Sequence, residues 1–252
     1  MITSFERRAV AFLDILGFKE LIARAESEPS EFAKLSDLRN IVDSHVQFDN
    51  AKLAAAIPAS IRPRYLFVSD SIIISSKLTE DTYDGLLAVA IKAIQIAHKM
   101  LEAGYLLRGG ISVGSVWHDD RNIFGTGYID AYRAEQRAMH PRVILTDVAL
   151  DHSRTATIGG DPMSNWGLFG NHEGAVVLEA LHPAYVSDLQ RSNRIENVFS
   201  QYRNHILKSL SAMPLGSPER SKWEWMAGFF NRAITRHGLN AQEFKELPVP
   251  TV

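Results

Sequence analysis

Two aspartates stand where carboxylates are rarely placed. Asp14 lies within Ala11-Phe12-Leu13-Asp14-Ile15-Leu16-Gly17-Phe18, and Asp70 lies between Phe67-Val68 and Ile72-Ile73-Ile74. Burying a lone carboxylate is costly, so each must be neutralised, hydrogen-bonded or metal-bound. At close range the two repel unless a divalent cation lies between them, and Mg²⁺ takes one or two carboxylates together with substrate phosphates. The plainer reading makes Asp14 a helix cap and Asp70 a turn residue, and spacing alone does not separate the two. Two more segments carry candidate chemistry. Arg108-Gly109-Gly110-Ile111-Ser112-Val113-Gly114 is a strand-like run whose glycines suggest close approach of a backbone or a ligand. Ile123 to Glu135 is a helix-like run containing Gly125, Ala131 and Arg133, and Arg133 alone reads as a solvated residue of its face.

The elements that must position these residues follow from hydrophobic spacing. Ala9 to Leu16 reads as a buried strand ending near Gly17. Phe18 to Ala25 and Phe32 to Phe48 read as helices, and Pro58 and Pro63 break the chain between Phe48 and the next strand. Tyr65 to Ser75 reads as a hairpin around Ser69-Asp70-Ser71. Thr82 to Leu101 is a helix, with Leu86, Leu87, Ala90, Ile91, Ile94 and Ala97 on one face and Gly104 beyond its end. Leu106 to Trp117 is a long strand, His118 to Asn122 a polar turn, Phe124 to Met139 a helix and Pro141 to Leu145 a strand. This βααββαβαβ order predicts an α+β fold, a ferredoxin-like or palm-like mixed sheet with helices on one face. Further on, Ile158 to Pro162 and Trp166 to Gly170 read as loops and Ala175 to Leu178 as a strand. Val186 to Leu210 and Lys222 to His237 read as helices. The expected division is a catalytic domain over 1–180 and a helical C-terminal extension over 181–252, packed on the same domain.

Composition narrows the function classes. The 252 residues are 46% hydrophobic and 22% charged, which suits a soluble globular chain. Lys+Arg 27 against Asp+Glu 29 gives a net charge of −2, unlike the basic balance of a nucleic-acid binder, so no nucleic-acid binding is expected. Without cysteine there are no disulfides, thiolate zinc sites, iron–sulfur clusters or cysteine nucleophiles. The nine histidines show no paired metal-binding spacing. The most apolar stretch, Leu86 to Ala97, is interrupted by Lys92 and Gln95 and is too short to cross a bilayer, and the N-terminus lacks a signal-peptide cleavage pattern. A cytoplasmic protein with no membrane partner is expected.

Taken in order, these segments resemble the class III nucleotidyl cyclase catalytic domain. The first-strand pattern F-x-D-I-x-G-F is matched by Phe12, Asp14, Ile15, Gly17 and Phe18, and the second metal aspartate by Asp70. R-x-G-I-x-x-G is matched by Arg108, Gly110, Ile111 and Gly114, and the helix pattern G-x-x-x-N-x-A-x-R by Gly125, Ala131 and Arg133. The asparagine of that pattern, which orients the ribose in the family, is replaced by Ile129. The strings AFLDILGFK, FVSDSIIIS, LRGGISVG and AYRAEQ further resemble the bacterial pyrimidine cyclases of Pycsar anti-phage systems.

This resemblance implies conversion of UTP or CTP to the 3′,5′-cyclic monophosphate and pyrophosphate, the product acting on a separate effector. UTP is favoured, with a catalytically silent nucleotide sensor as the alternative. It implies two Mg²⁺ or Mn²⁺ ions per site on Asp14, Asp70 and the Ile15 carbonyl. It also implies Arg133 stabilising charge on the α-phosphate, and a homodimer in which the aspartates and that arginine come from opposite chains. The amides of Leu16, Gly17 and Phe18, at a helix start, would meet phosphate oxygens. Asn122, three before Gly125, offers a donor and an acceptor to a pyrimidine edge, and Tyr65 is bulky enough to shorten the pocket against purines.

Overall fold

The apolar run around Asp14 becomes the middle strand of a sheet. A computed structural model describes residues 4–46, 62–78, 83–186, 195–239 and 247. Strand β1 (Glu6–Leu16) runs antiparallel between β3 (Ser71–Lys77) and β4 (Leu106–His118). β2 (Arg64–Val68) pairs with β3 across the expected hairpin. Beyond β4 come β6 (Val143–Leu145), β10 (Ala175–Leu178) and β9 (Phe169–His172), giving the order β2-β3-β1-β4-β6-β10-β9, with the short β5 (Ile123–Phe124) on the far end of β4. The β4–β6 pair is parallel and the other described pairs are antiparallel, so the sheet is mixed, as expected.

Alternation along β1 sorts its side chains between two layers. Ala9, Ala11, Leu13 and Ile15 join the main apolar cluster. That cluster is closed by α1 (Phe18–Ala25), α2 (Pro29–Val46), α3 (Gly85–Glu102) and α5 (Asp147–Thr155) through Leu21, Leu38, Ile94 and Ala149. This is the helical layer expected on one face. The other face, for which no helix was expected, is crossed by α4 (Thr126–Arg137), whose Ala131 packs on Val10, Phe12, Ile73 and Val116. Two glycines explain how α4 comes so close. A Cβ on Gly110 would sit 2.2 Å from the Ala131 carbonyl oxygen, and one on Gly114 would sit 2.6 Å from the Gly127 nitrogen. At both positions the close approach open from sequence is that of a backbone.

Element boundaries largely match the spacing, with local exceptions. α3 starts at Gly85, where the Asp84 carboxylate accepts the Leu86 and Leu87 amides at 2.7 and 3.2 Å, and the expected start at Thr82 lies outside the described residues. Phe48 and Pro58 also lie outside them. The expected loop at Ile158–Pro162 is instead a tight hairpin, β7 (Thr157–Ile158) and β8 (Asp161–Pro162), turning at Gly159-Gly160 with φ of 58° and 90°. The stretch read as a loop from Trp166 contains β9.

The C-terminal helices α6 (Ile195–Ala212) and α7 (Pro218–Arg236) build a second apolar cluster from Phe199, Tyr202, Trp223, Trp225, Phe229 and Phe230. It rests on Val177, Leu106, Ile144 and Leu16, which places it beside α4 on the same side of the sheet. α7 starts a turn before the expected Lys222, where the Ser217 hydroxyl accepts the Arg220 amide at 3.2 Å and Pro218 opens the helix. No described helix is long and apolar enough to cross a membrane.

His98 of α3 ties this layer down. Its Nδ1 lies 3.0 Å from the Tyr202 hydroxyl and its Nε2 lies 3.2 Å from the His182 carbonyl, which accepts from it. The ring is buried as the neutral form, and burial holds its pKa down to about 4. A depressed histidine contributes stability that is complete above its unfolded value and is lost as pH falls toward the folded one. Urea unfolding should therefore show stability falling by about 2 kcal/mol between pH 6.5 and 5 through this ring alone, and His98→Gln should flatten that slope. An equally steep slope in the variant would remove His98 from the account.

Candidate active site

The pairing register brings the two aspartates to one end of the sheet. Asp14 pairs directly with Ser71, so Asp70 is one residue, about 3.8 Å of chain, from its partner. The Ile15 amide donates to the Asp70 carbonyl at 2.9 Å. In an extended strand the N–H and C=O of one residue point to the same side, so the Ile15 carbonyl is directed at the same hairpin. The hairpin tip is held at Ser69, whose φ of 59° is the left-handed conformation that glycine adopts most easily. Such a conformation persists only where its surroundings fix it.

Asp14 faces the α4 side of the sheet, opposite Arg108 in the β1–β4 register. Arg108 Nη2 lies 3.4 Å from Asp14 Oδ2, but its main partner is Glu135 near the end of α4, reached by Nε at 2.6 Å and Nη2 at 2.5 Å. Gln136 donates to the other Glu135 oxygen at 2.6 Å. Glu135 is 1% exposed and engages Arg108, whose guanidinium is only partly shared with Asp14. The Asp14 carboxyl is accordingly pushed up to about 6, first by burial and then by Glu135 and Asp70, with Arg108 and Lys222 opposing the rise. Asp14 thus sits between the last turn of α4 and the C-terminal helical layer, with less positive charge than its ionised form needs.

The donor set there is two carboxylates and a backbone carbonyl. All are oxygens, which suits Mg²⁺ or Mn²⁺ completed by substrate phosphates and water. Among the described residues, no cluster of three or more His, Cys, Asp or Glu side chains could cage a metal alone. Leu16, Gly17 and Phe18 form the turn from β1 into α1 at the same end. Gly17 has φ of 82° and precedes the helix, its carbonyl accepting the Leu21 amide at 3.1 Å, and a Cβ there would meet nothing within 4 Å.

Other expected residues lie elsewhere in the chain. Arg133 is two residues from both Ala131 and Glu135, a rotation of about 200° on a helix, and it points away from the sheet, 70% exposed, with Asp130 at 3.8 Å. Ile129 and Tyr132 are exposed beside it at 42% and 43%. Asn122 lies in the turn after β4, where the Asp119 carboxylate accepts its amide at 2.8 Å. With about 3.3 Å per strand residue, that turn is some 30 Å from Arg108 and Asp14. Tyr65 pairs with Ile74, which pairs with Ala11, so it packs into the main cluster across the sheet from Asp14. Strand parity sends its ring into the other layer, so the structure does not bring Tyr65 together with Asp14 of its own chain. A cavity of about 560 Å³ lined by Arg39, Arg64, Tyr65 and Asp119 lies there, apart from the aspartates. Arg108 and, through it, Glu135 form the charged surroundings of Asp14. The glutamate was visible in sequence as part of AYRAEQ, but nothing in spacing signalled its pairing with Arg108.

No family model matches the chain, and no curated protein matches it in sequence. Among solved structures, it is similar to the catalytic core of a rhodopsin–guanylyl cyclase with converted specificity in complex with ATPαS, at 17% identity and a TM-score of 0.44 over 61% of this chain and 84% of that one. It is similar also to the guanylate cyclase domain of RhGC from Catenaria anguillulae in complex with GTP, at 18% identity and a TM-score of 0.43 over 61% and 85%. A third is the monomeric guanylyl cyclase domain of the RhoGC fusion protein from Blastocladiella emersonii, at 13% identity and a TM-score of 0.47 over 69% and 95%. The likeness is one of chain path, and no residue role is taken from it.

The Arg108–Glu135 pair generates a test of how the site is held. Removing one partner of a buried pair leaves an uncompensated charge, so Arg108→Met should cost about 3 kcal/mol in urea unfolding. Adding Glu135→Gln should restore much of that loss. Purely additive losses would mean that the two side chains do not support each other.

Proposed function

We propose that the chain is a nucleotidyl cyclase of the pyrimidine branch, converting UTP to 3′,5′-cyclic UMP and pyrophosphate as a homodimer with two shared sites. The observation that carries the reading is the meeting of Asp14, Asp70 and the Ile15 carbonyl at one end of the sheet, while Arg133 is turned outward on α4. One copy holds the carboxylates and presents its arginine to a neighbour.

In the reaction the ribose 3′-oxygen attacks its own α-phosphorus in line. A new P–O bond forms there, the bond to the bridging oxygen breaks, pyrophosphate leaves, and the 3′-hydroxyl proton goes to solvent. Two Mg²⁺ or Mn²⁺ ions would supply Lewis acidity at the attacking and leaving oxygens. Asp14, Asp70 and the Ile15 carbonyl would hold those ions, and the amides of Leu16, Gly17 and Phe18 would orient phosphate oxygens at the start of α1. Arg133 of the second copy stabilises charge developing on the α-phosphate.

Asn122 is too far from Asp14 in its own chain, so it too would come from the second copy, offering a donor and an acceptor to the base. Ile129 contributes no ribose contact of the amide kind. Preference for UTP over CTP and purines, and a product acting on a separate effector in anti-phage defence, rest on the likeness of AFLDILGFK, FVSDSIIIS and LRGGISVG to the pyrimidine cyclases. Residues 181–252 would serve as an extension built onto the catalytic domain, in the cytoplasm.

Incubating the purified protein with each labelled nucleoside triphosphate and Mn²⁺ tests the reading. Cyclic UMP is the expected product. Cyclic CMP would move the specificity, a purine cyclic nucleotide would overturn the pyrimidine branch, and tight binding without turnover would favour a sensor. Asp14→Ala or Asp70→Asn should abolish turnover while the dimer persists in sedimentation, and near-normal turnover in either would refute the metal assignment. Arg133→Ala should slow turnover by about 100-fold. Mixing Asp70→Asn with Arg133→Ala should recover activity through mixed dimers, and a mixture as inactive as its parts would rule out sites shared between copies.

A further inference from the structure

One carboxylate outside the aspartate pair is gripped by more donors than a surface turn requires. Glu173 and Gly174 form the tip of the β9–β10 hairpin, at φ of 54° and 76°. A side chain at such an angle is strained, and asparagine or glycine is the usual occupant. The half-exposed Glu173 carboxylate accepts from Trp225 Nε1 of α7 at 3.1 and 3.2 Å and from Arg142 Nη1 at 3.3 Å. His140 Nε2 lies 3.7 Å from it. These donors are fixed without help from Glu173. Trp225 is buried, and its indole is stacked by His140 at 5.6 Å and 7° and by Phe229 at 5.2 Å and 14°. Arg142 is largely buried and its Nη1 also reaches the His172 carbonyl at 3.3 Å. Its Nε is buried without a partner among the described residues.

Register ties this donor set to the aspartates. Gly109 pairs with Val143, and its amide donates to the Arg142 carbonyl at 3.0 Å. Arg142 therefore stands beside Arg108, which is itself opposite Asp14. Parity puts Asp14, Arg108 and Arg142 on one face, and two strand spacings, about 10 Å, separate the backbones of Asp14 and Arg142. A guanidinium and a fixed indole N–H suit a phosphate as well as a carboxylate. A half-exposed carboxylate on a strained turn is a replaceable occupant of such a set. We infer that Arg142, Trp225 Nε1 and His140 form a phosphate subsite, which the Glu173 carboxylate fills until a terminal phosphate of the nucleotide held at Asp14 and Asp70 takes its place. The hairpin tip is thus an internal competitor of the substrate. Assigning that phosphate to a nucleotide rests on the cyclase reading above.

The test titrates inorganic phosphate into the full chain by calorimetry, without divalent ions, and measures KM for the triphosphate that wild type turns over best. Glu173→Asn removes the competing charge and suits the turn, and Glu173→Gly takes its place should that variant not fold. Phosphate should bind about 10-fold or more tighter than to wild type. Adding Arg142→Gln or Trp225→Phe should cancel the gain, and KM should fall by a similar factor in Glu173→Asn. No gain on removing Glu173, or a gain that survives both added substitutions, overturns the subsite, and turnover by wild type then leaves the cyclase reading standing. A phosphate gain with KM unchanged supports a subsite for free phosphate and overturns its assignment to the nucleotide tail. The same gain without turnover of any triphosphate supports the subsite and overturns the cyclase reading.

Discussion

The arrangement depends on the register of one strand. β1 is paired on both sides, from Arg8–Lys77 to Asp14–Ser71 with β3 and from Glu6–Val116 to Leu16–Leu106 with β4. Those two ladders put a carboxylate beside the hairpin tip on one edge and beside a guanidinium on the other. Because side chains alternate with a period of two, register also decides which layer each residue enters. Asp14 is kept out of the main apolar cluster by the same parity that sends Leu13 and Ile15 into it.

A second constraint is how closely α4 can lie on the sheet. Gly110 and Gly114 lower the helix until backbone meets backbone, and this brings Glu135 within hydrogen-bonding reach of Arg108. Burial is the first cause that pushes the Asp14 carboxyl up, Glu135 adds to it, and Arg108, engaged by Glu135, only partly offsets it.

The helices near the aspartates were legible because their apolar residues recur near every 3.6 positions, and the strands because they are short apolar runs bounded by turn signals. What lay beyond that signal was orientation. Ile72-Ile73-Ile74 is apolar on both faces, so the hairpin showed no alternation from which to assign Tyr65 a layer. α4 displayed a buried stripe but not which face of the sheet it would cover. The Gly159-Gly160 turn was readable as a two-residue hairpin loop, yet its strands are too short for a hydrophobic pattern. The Arg108–Glu135 contact joins distant parts of the chain, and single-sequence spacing carries no information about such meetings.

β4 spans thirteen residues, with Arg108 near its start and the turn holding Asn122 just past its end. In the proposed dimer, with Asn122 of one copy reaching the aspartates of the other, this strand would be a spacer that sets the interval between the two reaction centres. Deleting two consecutive residues from its middle would keep every later side chain on its own face while shortening that interval by about 7 Å, a change of scale with no change of composition at either centre.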